Sequence, residues 1–259
     1  MTDPTLRFSS RVDNYIQYRP HYPAQIIDTL RQDCQLTPAS VVADIGSGTG
    51  ILTELFLRNG SQVFAVEPNR EMREAGERLL KDYPLFHSIP GTAEDTLLSD
   101  GSVDFVTVGQ AFHWFDREKA RAEFRRVLKP DGWVVLVWND RQTDTTPFLR
   151  AYEQLLARYG TDYRQVDHKQ IDEQALRDFY GTGTGIIMPA IASKTWPNAQ
   201  AFDYEGLKGR LLSSSYTPQA GQPDFEPMLA ALSEVFQRYQ RDGRVSFDYT
   251  TIMYYGHFG

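Results

Sequence analysis

The chain has 259 residues, a formal net charge of −7 at pH 7 and 41% hydrophobic residues. This length suits a single α/β domain. The acidic balance argues against a nucleic-acid partner, because proteins that bind nucleic acids usually present a basic face. No apolar run approaches the roughly 20 residues of a membrane span, and the polar N-terminus does not look like a signal peptide. A lone cysteine, Cys34, excludes an intrachain disulfide. We therefore expect a cytoplasmic protein without a membrane span.

The first predicted element is an aromatic and basic segment at 8–30, with a helix at 23–31. Its Tyr15, Arg19 and Tyr22 are candidates for the wall of a substrate pocket, since tyrosine faces attract cations and arginine pairs with carboxylates. We interpret the segment as a helical lid over a ligand. The alternative is a packed N-terminal helix that contacts no ligand.

Short β-branched runs then alternate with helical patterns. The strands are predicted at Val41–Ile45, Gln62–Val66, Leu85–Ile89, Ser102–Val108 and Trp133–Trp138. The helices are predicted at 51–58, at 70–81 with Asn69 as N-cap, and at 117–127, and a turn is predicted at 129–132. This alternation is typical of an α/β, Rossmann-like, doubly wound and mostly parallel sheet, whose ligands bind beyond the carboxyl ends of the strands.

The rest of the chain is less regular. Residues 140–220 contain a predicted helix at 147–159 and a glycine-rich run at 181–185, which we interpret as a flexible link. An amphipathic helix is predicted at 225–241, and a closing strand at 244–255 that we expect to be antiparallel.

Three glycines, Gly46, Gly48 and Gly50, follow the first strand and precede a helix. Glycine allows the backbone to turn sharply and a ligand to approach the main chain. The spacing is GxGxG, which differs from the GxGxxG dinucleotide fingerprint, and no Lys-Ser or Lys-Thr pair follows as in a P-loop. Alone, the turn indicates either a nucleotide-like ligand or an ordinary loop.

Two acids at strand ends strengthen the first interpretation. Asp44 ends a buried strand, where a carboxylate is costly unless it is hydrogen-bonded or meets a cation. Glu67 follows the second strand, 19 residues after Gly48, where a carboxylate can accept both hydroxyls of a ribose. The alternatives are that Asp44 caps backbone amides and that Glu67 caps a helix or faces solvent.

The segment Gly109–Asp116 follows the fourth strand and contains His113 between aromatic residues. Histidine suits proton transfer near neutral pH, so His113 is a candidate base, and Trp114 is a candidate pocket wall. The alternative is that these aromatic side chains pack against the next helix and that His113 is a structural hydrogen-bonding residue.

The order and spacing of these pieces resemble the class I S-adenosylmethionine-dependent methyltransferases. The matching motifs are VADIGSGTG at 42–50, VFAVEPNREM at 63–72, GTAEDTLL at 91–98, SVDFVTVGQAFHWFD at 102–116 and FRRVLKPDGWVVLVW at 124–138. More narrowly, the chain is similar to the small-molecule branch with ubiquinone/menaquinone-biosynthesis-type and trans-aconitate-type enzymes.

The resemblance implies that Asp44 and the Gly46–Gly50 turn hold the methionine part of the donor, that Glu67 holds the ribose, and that residues 92–95 hold the adenine. The full set of implied cofactor-binding residues is Asp44, Gly46, Ser47, Gly48, Gly50, Glu67, Pro68, Ala93, Glu94, Gln110 and Ala111. Thr92 stands where related enzymes often have Asp or Asn. This departure shifts the predicted adenine recognition to the Ala93 backbone and to the side chain of either Glu94 or Asp95.

The predicted domain plan is one methyltransferase domain over 1–259. It has a cofactor-binding core at 38–140, the lid at 8–30, a substrate cap at 140–220, and a closing helix and strand at 225–259.

The predicted function is in-line transfer of a methyl group from S-adenosylmethionine to a small-molecule acceptor, with S-adenosylhomocysteine as product and no metal. The alternatives are a non-catalytic S-adenosylmethionine-binding module and a nucleotide-dependent oxidoreductase. We expect a monomer or a weak homodimer, and the acceptor is left open.

Overall fold

The computed structural model describes residues 12–161, 163, 173–181 and 191–259. The helices in these ranges are α1 (Val12–Tyr18), α2 (Gln25–Asp33), α3 (Ile51–Arg58), α4 (Arg70–Leu79), α5 (Arg117–Val127), α6 (Pro147–Tyr159), α7 (Glu173–Tyr180), α8 (Tyr204–Leu212) and α9 (Phe225–Tyr239). The strands are β1 (Val41–Ile45), β2 (Gln62–Val66), β3 (Phe86–Ile89), β4 (Val103–Gly109), β5 (Leu128–Arg141), β6 (Ala192–Phe202) and β7 (Val245–Gly256). Residues 8–11 of the predicted lid and 182–185 of the glycine-rich run lie outside the described residues. None of the described helices is long and apolar enough to cross a bilayer.

The described strands form one sheet in the order β3-β2-β1-β4-β5-β7-β6. Strands β1 to β5 pair in parallel, and β7 runs antiparallel to both β5 and β6. The predicted Rossmann-like sheet with an antiparallel last strand is therefore confirmed. Strand order reverses between β1 and β4, which is the point where such sheets bind ligands.

Both faces of the parallel strands are buried, as expected for strands that read as nearly continuous apolar runs. On β4, Phe105 and Val106 are adjacent and face opposite sides. Val106 packs in a layer with Phe124 of α5 and Phe179 of α7, and Phe105 packs in a layer with Phe56 of α3. The alternating direction of side chains along a strand thus joins two separate cores.

A third apolar cluster covers the antiparallel end of the sheet. It joins α6, α8 and α9 to the face of β7 through buried side chains such as Tyr152, Leu207, Leu232 and Phe247. We call this third cluster the cap core. It places α8 and β7 opposite the carboxyl ends of β1 and β4.

Local signals set most of the predicted boundaries. Asn69 caps α4 as predicted, because its Oδ1 accepts a hydrogen bond from the Met72 amide at 2.9 Å. Pro147 begins α6, and the Thr146 hydroxyl accepts from the Leu149 amide. Strand β5 extends beyond the predicted Trp133–Trp138 at both ends, and the other predicted strands and helices in the central region end within two residues of the observed ones.

Two expectations need correction. The predicted turn at 129–132 lies inside β5, where pairing jumps from Val103 with Leu128 to Phe105 with Trp133. The extra residues form a bulge with Asp131 at a φ of 62°. The stretch at 140–220, predicted to be less regular, contains β6, α7 and α8. Strand β6 is an edge strand whose side chains are mostly exposed, so it lacks the apolar run by which the other strands were recognised.

Candidate functional site

A cavity of about 520 Å³, measured to its open mouth, lies beyond the carboxyl ends of β1 and β4. The sheet side contributes Asp44, Gly46, Ser47, Gly109 and Gln110 to its lining. The N-terminal segment contributes Tyr15, Arg19 and Tyr22, and the cap core side contributes Arg210 and Tyr249. The cavity thus lies at the predicted reversal of strand order, and it brings together six residues that the sequence proposed from separate segments, together with Ser47 from the turn.

The glycine turn forms one wall of the cavity. Gly46, Gly48 and Gly50 have φ values of 67°, 58° and 89°, in the region that favours glycine. The amide of Gly46 donates to the Val66 carbonyl at 2.8 Å, which joins the turn to the end of β2. A Cβ on Gly46 would lie 2.6 Å from the Cβ of Ala111. Glycine at position 46 therefore allows the turn to pack closely against Ala111.

Asp44 is a fully buried carboxylate at the end of β1. Its Oδ2 accepts from the Thr53 hydroxyl at 2.5 Å, and its Oδ1 accepts from the Thr107 hydroxyl at 3.1 Å. Burial raises the pKa of Asp44 to about 7, although the two hydroxyls oppose that shift. No cationic side chain pairs with Asp44 in the described part of the chain. A ligand ammonium at this carboxylate would supply the missing charge.

Glu67 lies behind the glycine turn, at the end of β2. Its Oε2 accepts from the Gly48 amide at 2.9 Å, and its Oε1 accepts from the Asn69 amide at 2.8 Å. Burial raises the pKa of Glu67, and these two amides counteract part of the rise. Each carboxylate oxygen keeps a further lone pair, so the side chain can fix the turn and still accept from a ligand.

Gln110 continues the wall beyond the end of β4. Its φ of 58° is uncommon for a residue with a side chain, and such strain is often found at functional sites. Its amide donates to the Val137 carbonyl, and its Nε2 donates to the Asn139 carbonyl at 3.3 Å. These two hydrogen bonds to β5 hold Gln110 in this conformation at the wall of the cavity.

The N-terminal segment closes the cavity from the other side. The ring of Tyr18 packs flat on α8, so closely that a Cβ on Gly209 would lie 1.9 Å from it. The buried side chain of Asn139 donates to the His21 carbonyl at 3.4 Å and accepts from the Thr251 hydroxyl at 2.5 Å. The Tyr22 hydroxyl reaches the end of β4, 2.7 Å from where a Gly109 Cβ would stand. The segment is therefore packed against the fold, and it also lines the cavity.

The aromatic segment after β4 splits between the core and the surface. Phe112 begins a single turn of 3-10 helix and is buried edge-on against Phe179, with ring centroids 4.6 Å apart. His113 is exposed, and its ring lies 4.6 Å from the ring of Trp114. Neither His113 nor Trp114 is among the described residues that line the cavity. Their predicted roles as base and pocket wall stay predictions.

The proposed adenine segment forms a turn outside the cavity. The Thr92 hydroxyl accepts from the amides of Glu94 and Asp95. The Glu94 carboxylate accepts from the Asp116 amide at 2.9 Å. Ala93 is buried, and Pro68, the residue after Glu67, is half-buried. The contact between Glu94 and Asp116 joins this turn to the segment after β4. The assignment of Pro68, Ala93 and Glu94 to the cofactor stays a prediction.

Three polar residues of the cavity wall were not found from the sequence: Asn139, Arg210 and Tyr249. Arg210 is 5% exposed, and its Nε donates to the Tyr249 hydroxyl at 3.0 Å. Of these three residues, only Arg210 could have been predicted from a pattern in the sequence. It lies on the same helical face as Leu207 and Leu211, where a charged residue among apolar ones indicates a buried cation.

Comparisons with known proteins agree with this geometry. A family model described as a methyltransferase domain matches residues 43–136. An uncharacterised methyltransferase of Schizosaccharomyces pombe is 30% identical over 251 residues, which is 95% of each chain. A Saccharomyces cerevisiae protein whose name assigns it S-adenosylmethionine dependence is 26% identical over 206 residues, covering 74% of this chain and 70% of that one.

A solved structure shares the fold. A protein of Anaeromyxobacter dehalogenans described as a type II methyltransferase superposes with a TM-score of 0.64 at 21% identity, covering 93% of this chain and 98% of that one. The chain therefore belongs to the methyltransferase family and has the fold of its class I, S-adenosylmethionine-dependent members.

Proposed function

We propose that this methyltransferase transfers the methyl group of S-adenosylmethionine to a small-molecule acceptor bound in the cavity. The observation that carries the proposal is Asp44, a buried carboxylate that lines the cavity beside the glycine turn and pairs with no cation among the described residues. Keeping a carboxylate in such a place is costly unless a ligand provides the opposite charge.

The residues at the site fit this methyl donor. Asp44 would hold the ammonium of the methionine part, while the turn backbone at Gly46 and Ser47, which line the cavity, would allow close approach. Glu67 would accept the ribose hydroxyls with the lone pairs that the Gly48 and Asn69 amides leave free.

The chain then has to orient an acceptor and exclude water. When bound, S-adenosylmethionine supplies a methyl group that positive sulfur activates for displacement. Tyr15 and Tyr22 line the cavity, and their ring faces suit a nearby cation. Alignment of two bound reactants is worth up to roughly 7–11 kcal/mol, so positioning by the cavity walls can supply much of the rate.

A small-molecule acceptor fits the space and the lining. The site is a concave cavity lined by the sheet, the N-terminal segment and α8, and concave sites of this kind are typical of small-molecule binding. The N-terminal segment and α8 both border the cavity, which favours a compact acceptor. The described lining contains no histidine. We therefore keep His113 as a possible base only for acceptors that must lose a proton.

Calorimetry with S-adenosylhomocysteine tests the donor site. We expect Asp44→Asn to weaken binding by about 10- to 100-fold, because a charge-assisted hydrogen bond contributes roughly 1.5–3 kcal/mol. Asp104→Asn is the matched control, since Asp104 lies at the opposite end of β4 and pairs with Lys129 at 2.9 Å. Unchanged affinity in Asp44→Asn, or no binding to the wild-type chain, would overturn the proposal.

A further inference from the structure

Two arginines line the cavity on the side away from the glycine turn. Arg210 of α8 is 5% exposed, and its Nη1 donates to the Ser214 hydroxyl at 3.2 Å in addition to the Nε bond to Tyr249. Arg19 donates from Nη2 to the Ser213 carbonyl at 3.0 Å, and its buried Nε has no acceptor among the described residues. Both guanidinium groups are therefore fixed by α8 and the residues that follow it.

All of these acceptors are neutral. Within the described part of the chain, no carboxylate pairs with Arg19 or Arg210. Arg141 shows the contrast in the same cap core: its guanidinium lies 5.9 Å from the Phe247 ring, and that of Arg210 lies 5.2 Å from it. Arg141, however, donates to the carboxylate of Glu153. Arg210 is thus packed in the same way as Arg141, but no described carboxylate balances its charge.

Neither arginine can relieve this situation by losing its proton, because guanidinium stays charged in proteins. The two positive charges also repel each other: burial, and then the charge of Arg210, lower the pKa of Arg19. Buried charges of one sign persist where an opposite charge is bound. An anionic ligand group in the cavity satisfies that requirement.

The methyl donor can supply only part of the missing charge. Its ammonium is matched by Asp44, and its carboxylate can meet one guanidinium. The second guanidinium would then remain unmatched, and the sulfonium of the donor would add a further positive charge to the cavity. The acceptor is the remaining molecule in the cavity that can bring a negative charge.

We propose that the acceptor carries a carboxylate, which binds to the remaining Nη donors of Arg210 with Arg19 beside it, while the Tyr249 hydroxyl accepts from Arg210 Nε and donates to Gln200. This inference rests on the proposed function, because it assumes that donor and acceptor share the cavity. A carboxylate fits better than a phosphate because the free donors are few: two oxygens can use them, whereas a doubly charged, three-oxygen group would keep an unpaired oxygen. The lining also offers neither histidine nor lysine in the described residues, so an acceptor that needs no strong base is favoured.

The test uses wild-type protein saturated with S-adenosylhomocysteine, so that donor binding is established first. Matched probes, succinate against succinamide and benzoate against benzamide, are then titrated by calorimetry, with inorganic phosphate as a third arm. We expect at least one acid to bind at least tenfold more tightly than its amide, and phosphate to bind more weakly than that acid. Equal binding of acids and amides, or preferential binding of phosphate, would overturn the carboxylate proposal while leaving the donor site intact.

Variants locate the binding group. We expect Arg210→Gln to lower acid affinity by at least tenfold and to leave amide binding unchanged. Arg141→Gln, the same substitution in the same core, should preserve the difference between acid and amide at temperatures where it is folded. If Arg210→Gln does not fold, Arg19→Gln serves instead, because Arg19 lies outside the cap core. Full retention of the acid preference in the folded variants would contradict the proposal.

Discussion

The two sides of the cavity bury opposite charges. On the sheet side, Asp44 is a buried carboxylate whose described partners are the hydroxyls of Thr53 and Thr107. On the cap side, Arg19 and Arg210 are cations whose described acceptors are a carbonyl and hydroxyl groups. Among the residues that the structure describes, no ion pair joins the two sides. Each side is therefore arranged to be neutralised by a ligand rather than by the rest of the protein.

The strongest way to sharpen this comparison is to remove a paired and an unpaired arginine from the same core. We expect Arg141→Gln to lower the free energy of unfolding by about 3 kcal/mol, because it removes the cation that pairs with Glu153 and leaves the Tyr163 hydroxyl as a neutral donor to that carboxylate. Arg210→Gln should cost much less in the ligand-free protein, since it removes a buried charge that no described carboxylate compensates. Urea denaturation of both variants measures the difference. Equal losses would mean that Arg210 has a counter-charge after all.

A second prediction concerns the sheet side. We expect Gly46→Ala to lower the free energy of unfolding by about 2 kcal/mol more than Gly101→Ala, because its Cβ would lie 2.6 Å from that of Ala111. Gly101 has a similar φ of 56° and open space around it, so it isolates the cost of the backbone conformation. Thermal unfolding of both variants checks the prediction. Equal unfolding midpoints would show that the turn accommodates the Gly46 Cβ without an additional loss of stability.

The smallest expected effect is a pH dependence confined to the sheet side. With the pKa of Asp44 at about 7, S-adenosylhomocysteine should bind about tenfold more weakly at pH 6 than at pH 8, because the carboxylate must ionise to meet an ammonium. The ordinary carboxyl value is 3.8, so the folded protein binds the extra proton between pH 4 and 7. The contribution of Asp44 to stability therefore falls as pH rises through that window.

Calorimetry at the two pH values, with Asp44→Asn as control, measures this effect. The control should lose both the pH dependence of binding and the fall in stability. If the wild-type chain and the control show the same pH profile, another group is responsible for it.

The same two sides differ in how far the sequence reveals them. Asp44, the glycine turn and Glu67 lie within one strand–turn–helix–strand unit, so their spacing along the chain carries the geometry of the donor site. Both the parallel sheet and Asn69 as the cap of α4 followed from equally local patterns.

The cap side is assembled from distant segments. Arg19, Arg210 and Tyr249 meet because the N-terminal segment packs on α8 and α8 packs on β7. No spacing encodes these contacts, and the edge strand β6 has too few buried side chains to be recognised. The segment after β4 shows the opposite difficulty: His113 is conspicuous in the sequence, yet its side chain is exposed.

The most direct test of the central claim is a structure with S-adenosylhomocysteine bound. We expect the amino group to lie about 3 Å from the Asp44 carboxylate and the ribose hydroxyls to face Glu67. The arginine side of the cavity should remain open beside the sulfur for the acceptor. A complex in which the amino group makes no contact with Asp44, or in which the ligand binds away from the glycine turn, would contradict the account.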